Sequence, residues 1–126
     1  MYFNNGVILL KIAVIDDEEG ILLSMRVFLE MEGHQPVTFS SPKKALAVLS
    51  QEKVDLIILD IRMPEMTGEE LAMKFKKTAL TKDIPIILFS AHDTLPEIAL
   101  KVGAEGILEK PFHFDKLIHL LNNILA

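Results

Sequence analysis

Leu56-Ile57-Ile58-Leu59-Asp60-Ile61-Arg62-Met63-Pro64-Glu65-Met66-Thr67-Gly68 sets four consecutive branched apolar residues directly against an aspartate. An apolar run without polar alternation reads as a strand covered on both faces, as in a parallel sheet. A carboxylate at the end of such a strand is costly to desolvate unless something nearby offsets its charge. Asp60 is therefore either a plain turn residue or part of a charged constellation assembled by the fold.

Other segments of the same kind flank this one. Lys11 to Ile15, roughly Val54 to Asp60, Ile84 to Ser90 and the short Gly106 to Leu108 read as buried strands, and Pro36 to Phe39 is a weaker fifth candidate. Between them lie segments of helical length: Glu18 to Glu32, Pro42 to Gln51, Gly68 to Lys77, Leu95 to Val102 and Phe114 to Leu125. The alternation predicts an α/β, doubly wound sandwich, a five-stranded parallel sheet flanked by five helices. Gly33 stands where a helix C-cap is expected, and Ser41-Pro42 offers an N-cap followed by proline at the first helical position. Asp93 or Thr94 is a candidate cap for the helix beginning near Leu95.

The chain has 126 residues, half of them apolar and a quarter charged. That length predicts one domain, 1–126, with about residues 1–9 as an extension leading into the first strand. No apolar run approaches the roughly 18 residues of a membrane span, and the N-terminus has no signal-peptide pattern, so no membrane role is expected. The absence of cysteine fits a reducing, cytoplasmic setting. A net charge of −5 with dispersed lysines argues against direct nucleic acid binding by this chain.

In an open parallel sheet, ligands bind at the carboxyl ends of the strands. The residues expected there are Asp16-Asp17-Glu18-Glu19, Asp60, Ser90-Ala91 and Glu109-Lys110-Pro111. Crowded carboxylates repel one another unless a cation is present, and an all-oxygen set without His or Cys suits Mg2+. A carboxylate can also attack phosphorus to give an aspartyl phosphate, with a metal, a lysine and a hydroxyl stabilising the phosphoryl oxygens. Taken alone, the acidic run at Asp16 would be no more than a helix start favoured by the helix dipole.

Ile15-Asp16-Asp17, the pattern D-x-x-M-P-x-M-x-G from Asp60 to Gly68, Ser90-Ala91 and Lys110-Pro111-Phe112 together resemble the receiver domain of two-component response regulators. The resemblance covers about Lys11 to Ala126. Each motif is weak singly; all four in order, each after a strand, are a specific combination. The resemblance implies a flavodoxin-like, CheY-like (βα)5 fold with strand order 2-1-3-4-5. It implies that Asp60 is the phosphoacceptor, that Asp16, Asp17, Asp60 and the backbone carbonyl of Arg62 hold Mg2+, and that Lys110 binds the phosphoryl group. Ser90 would be the switch hydroxyl, the Lys110-Pro111 bond cis, and Pro64 and Gly68 the shapers of the loop after the phosphoacceptor. Arg62 and His92 would lie at the mouth of the site and tune the lifetime of the phosphoryl group.

The same resemblance implies a sensor histidine kinase or histidine phosphotransfer protein as donor, docking beside the first helix. The output would be a downstream protein target, or an output domain cut from the chain at Ala126; a homodimer is compatible with either. One position departs from the pattern. Where the family commonly carries Tyr or Phe three residues before the lysine, this chain has Ile107, so the aromatic half of the usual switch is missing.

The domain is expected to act on itself, in its own aspartyl phosphorylation and dephosphorylation, and not as an enzyme. A phosphatase of the haloacid dehalogenase type would want a second aspartate two residues after the nucleophile, where Arg62 stands. A flavodoxin-like nucleotide binder would want a Gly/Ser/Thr phosphate cradle where the acids follow the first strand. The alternative closest to the main reading is a phosphorylation-independent receiver acting as a protein-interaction module. On the first helix, Leu23, Val27 and Met31 form a second apolar stripe, expected to pack against the last helix or, failing that, to meet a partner. His34, His92, His113 and His119 share no ligand-like spacing.

Overall fold

The structure is a computed structural model and describes residues 2–4, 7–91 and 95–125. The five-stranded sheet is formed by β3 (Lys11–Ile15), β4 (Gln35–Phe39), β5 (Leu56–Asp60), β6 (Ile86–Ser90) and β7 (Gly106–Glu109). All neighbouring pairs are parallel and the spatial order is β4-β3-β5-β6-β7, which is the order 2-1-3-4-5 for these five strands. The helices are α1 (Glu19–Met31), α2 (Pro42–Leu49), α3 (Gly68–Lys76), α4 (Leu95–Val102) and α5 (Phe114–Leu125). The expected fold class and the strand order of the five-stranded sheet are therefore those observed, with its five helices.

Successive residues on a strand point to opposite faces, so an all-apolar strand feeds two cores at once. On β5, Ile57 and Leu59 join one layer with Ala45, Leu71, Phe75 and Leu95. Leu56 and Ile58 join the other with Leu22, Met25, Leu29, Leu117 and Leu121. This two-sided demand is why Leu56–Leu59 has no polar residue. Pro85 lies before β6 and Asp55 before β5, so both strands start later than the apolar runs suggest; Pro85 has no N–H for a ladder, although its carbonyl accepts from Ile57.

Residues before Lys11, expected to be a simple extension, instead include β1 (Tyr2–Asn4) and β2 (Val7–Leu9), paired antiparallel with Tyr2 opposite Leu9. The signal for this pairing is the dipeptide Asn5-Gly6 between two short β-prone runs. At the junction with β3, the Leu10 amide donates to Nδ1 of His34 at 3.1 Å. Burial pushes the His34 imidazole below its ordinary value despite the charge of Glu32, which suits a ring nitrogen that must accept.

Local punctuation follows the sequence. Gly33 has φ +88° after α1, and His34 N–H returns to the Leu29 carbonyl at 2.9 Å. Ser41 caps α2 by accepting from the Lys44 amide at 3.2 Å, and it donates to Glu65 Oε1 at 2.6 Å. Ser41→Ala is expected to cost about 1 kcal/mol, read as a lower urea midpoint at unchanged slope. The candidate caps Asp93 and Thr94 lie outside the described residues.

The second stripe on α1 does not pack as expected. Leu23, Val27 and Met31 are 62%, 50% and 80% exposed. Leu22, Met25 and Leu29 already occupy the groove over the sheet, and α1 reaches α5 through Phe28, whose ring stacks on Phe114 at 4.1 Å. At spacing four, Leu23, Val27 and Met31 fall on the side of the helix away from that groove.

Candidate functional site

Parallel pairing aligns the carboxyl ends of β3, β5 and β6. Ile15 stands beside Leu59, and Asp60 beside Phe89, so Asp16, Asp60 and Ser90 emerge on one rim. Asp16 is fully buried, and Asp60 and Ser90 are each 3% exposed. Asp17 is exposed beside them. The carboxylates of Asp16, Asp17 and Asp60 offer oxygen atoms that all lie within 4.8 Å of one another.

Lys110 arrives from the other end of the chain. Its amide donates to the Ser90 carbonyl at 3.1 Å, and the Lys110-Pro111 peptide is cis. Its Nζ lies 2.9 Å from Asp16 Oδ2, 3.4 Å from Asp60 Oδ1 and 3.7 Å from Glu18 Oε1. One ammonium is thus shared among three carboxylates, while Asp16 Oδ1 also accepts the Glu18 amide at 2.9 Å.

The electrostatics report an unsatisfied excess of negative charge. Burial and then the charge of Asp16 raise Asp60 from 3.8 to about 6, against the smaller opposing pull of Lys110. Burial also raises Asp16, although its hydrogen bond from Lys110 works the other way. For Lys110, burial lowers the pKa, but its hydrogen bond to Asp16 and the charges of Asp60, Asp16 and Glu18 outweigh it and leave it raised. Two buried carboxylates and a third beside them, with one lysine between, are a donor set that a hard divalent cation fits. Mg2+ is compatible with these residues on that ground.

The loop after Asp60 closes the site from one side. Gly68 is buried and its amide donates to the Ile61 carbonyl at 2.7 Å. Thr67 caps α3 by accepting from the Glu70 amide at 3.1 Å. Arg62 and Pro64 are exposed and, with Asp17, Met63 and Ile98, line an open groove of about 510 Å³ leading to the acids. A second, mostly apolar groove of about 370 Å³ runs past Lys110 between α1 and the β7–α5 loop, lined by Ile21, Met25, Pro111 and Phe112. Ile107 is half-buried opposite Leu88, packed against the α2–α4 side of the core. His92 lies outside the described residues.

Asp16, Asp17, Asp60, Ser90 and Lys110, singled out from sequence, are thus brought to one rim. Two contacts were not legible there: Glu18 beside the lysine, and the Phe89 ring, whose centroid lies 4.6 Å from Lys110 Nζ. Only the position of Phe89 next to Ser90 pointed toward the latter.

Fold and rim together define a signalling domain of the CheY-like kind. The sequence model of the response regulator receiver domain matches residues 12–122, and the chain belongs to that family. It is 39% identical over 117 residues to the response regulator SaeR of Staphylococcus epidermidis and 36% identical to SaeR of Staphylococcus aureus, covering 90% of this chain and 49% of each relative. The chain therefore spans about half the length of these relatives. Among structures, chemotaxis response regulator CheY4 of Vibrio cholerae superposes with a TM-score of 0.86 at 28% identity, covering 93% of this chain and 99% of that one. Response regulator TrrA of Thermotoga maritima, determined in complex with Mg(2+)-BeF, gives 0.81 at 32% identity over 90% and 96% of the two chains. Receiver domains are signalling modules of two-component systems, not conventional enzymes. Among the described residues, no helix is long and apolar enough to cross a membrane.

Proposed function

We propose that this receiver domain accepts a phosphoryl group on Asp60 from a phosphohistidine and uses the added charge to bias a conformational switch. The observation that carries the reading is the buried Asp60 carboxylate, sharing Lys110 with Asp16 within an acid cluster a few ångströms across. Asp16, Asp17, Asp60 and the Arg62 carbonyl would hold Mg2+. Bound there, that ion supplies charge neutralisation for the carboxylates and the incoming phosphoryl oxygens.

An Asp60 carboxylate oxygen attacks phosphorus in line with the P–N bond of the donor. The new O–P bond forms as the P–N bond breaks, and the imidazole leaves with its electron pair and takes a proton from water. Lys110 turns from carboxylate to phosphoryl oxygen, and Ser90 donates its hydroxyl to another. Hydrolysis of the acyl phosphate by water returns Asp60 and phosphate.

The donor is a sensor histidine kinase or histidine phosphotransfer protein. The apolar groove beside Lys110 and the exposed Leu23 and Val27 support docking along α1. A Leu23→Asp, Val27→Asp double variant is expected to fold with near-native stability, since both side chains are at least half exposed, while phosphotransfer from the cognate kinase falls about tenfold or more. Transfer at the native rate would remove the docking reading. The output is a downstream protein or an attached domain. With Ile107 in the usual aromatic place, the signal does not depend on an inward-swinging ring there.

Intact-mass measurement after incubation with Mg2+ and acetyl phosphate tests the reading. One phosphoryl mass should be gained, and the gain should vanish with chelator and in Asp60→Asn. No gain would favour a receiver that signals through protein contact without phosphorylation. Arg62 and His92 are proposed to tune the lifetime of the phosphoryl group. Arg62→Ala is expected to change the half-life of the phosphorylated form severalfold, timed by loss of that mass; an unchanged half-life would remove Arg62 from this role.

A further inference from the structure

Phe89 is fully buried at the end of β6, and its ring face lies under the Lys110 ammonium, 4.6 Å from Nζ to the centroid. A cation within about 6 Å of a ring face is attracted by the ring quadrupole, more strongly where water is excluded. The Lys110 side chain is only 17% exposed, so this pair sits largely out of solvent.

The ring itself is held. Phe89 meets Phe112 edge to face at 6.2 Å with planes at 89°, and Phe112 meets Phe114 likewise at 5.7 Å and 89°. Phe114 in turn stacks on Phe28 of α1 at 4.1 Å and 10°. Edge-to-face arrangement is a favoured one for aromatic pairs, so Phe112 resists tipping of Phe89 and Phe114 resists tipping of Phe112. The series runs from β6, through the loop after Lys110, to the start of α5 and on to α1.

A lysine carries a four-carbon stem with many rotamers, and here three carboxylates lie within 4 Å of its Nζ. Left to those charges alone, it is free to settle on any of them. We infer that Phe89 is a positioning residue for Lys110: the anchored ring fixes the height and direction of the ammonium, so that it faces Asp60 as well as Asp16. This rests on the reading of Lys110 as the cation that meets the phosphoryl group. It assigns Phe89 a role beyond filling the core, and it places the support of the lysine on the α1–α5 side of the sheet, away from Ile107.

A core-filling ring and a cation-holding ring differ in one property, the sign of the charge on the face. Site-specific replacement of Phe89 by 3,5-difluoro- and then 3,4,5-trifluorophenylalanine withdraws that charge stepwise with little change of shape. The first readout is the 15N relaxation order parameter of the Lys110 ammonium, expected to fall with each step. The second is the rate of phosphorylation by acetyl phosphate with Mg2+, expected to fall roughly threefold to tenfold across the series. The same series at Phe75, buried in the opposite layer, should change neither. An order parameter that stays constant through the Phe89 series would overturn the inference, as would equal effects at Phe75. If the order parameter falls but no variant, including the unmodified protein, gains phosphate, the positioning role stands and the phosphoacceptor reading fails.

Discussion

Asp60→Asn is expected to make the metal-free protein more stable at pH 7, by about 1–3 kcal/mol, while abolishing the phosphoryl mass gain. Burial and Asp16 raise the Asp60 carboxyl from 3.8 to about 6, so its charged form is disfavoured in the folded state. A carboxyl raised on folding favours the native state fully only below its unfolded value, and that advantage is lost as pH climbs through the folded value. The ionised wild type therefore bears the whole cost above about pH 6, and the neutral amide avoids it. The stability difference should shrink as pH is lowered from 7 toward 4. It should also shrink on adding Mg2+, which offsets the same charge and stabilises wild type more than the variant. Urea unfolding of both proteins at pH 7 and 4.5, with and without Mg2+, checks each sign. An Asn variant less stable than wild type at pH 7 without metal would mean that the Lys110 contact outweighs the desolvation.

Gly68→Ala is expected to lose about 2–4 kcal/mol of stability and to slow phosphorylation by roughly tenfold or more. A Cβ there would run into the backbone oxygen of Asp60 and lie 2.7 Å from Ile61 Cα and 2.9 Å from the Asp60 carbonyl carbon. These are backbone atoms at the end of a fully buried strand, so no flexible side chain can yield. Relief requires α3 to back away or the end of β5 to shift, and the second moves the Asp60 carboxylate. Gly20, where an added Cβ meets nothing within 4 Å, is the control. Gly20→Ala in α1 should be neutral or stabilising by up to about 1 kcal/mol with phosphorylation unchanged. Denaturation curves and phosphorylation time courses for the two variants decide it; equal behaviour would dismiss the close-approach argument.

Some elements could be read from local chemistry alone. The all-apolar Leu56–Leu59 run demanded two covered faces, and with Ser41-Pro42 and Gly33 marking helix ends, this fixed an α/β sandwich. The acids and the lysine could be assigned to one rim because parallel strands all place their carboxyl ends together. What local pattern could not decide was whether the second apolar stripe on α1 is buried along with the first. Leu22, Met25 and Leu29 and the stripe Leu23, Val27 and Met31 have similar hydrophobicity, and only the groove over the sheet selects the first. The small sheet of β1 and β2 was overlooked because strands of three residues are too short for periodicity to register.

The sequence by itself determined the layers of this protein, the alternation of strands and helices from Lys11 onward and the set of charged groups at the strand ends. Those follow from burial and from the geometry of parallel strands, which depend on residue type and spacing. Only the tertiary structure decided how the charges are balanced: that Lys110 lies between Asp16 and Asp60 with Glu18 beside it, over the face of Phe89. The contacts between residues fifty and ninety-four positions apart are made at 3.4 and 2.9 Å. Coulomb energy and desolvation change steeply over such distances, and no local pattern of residue types encodes them.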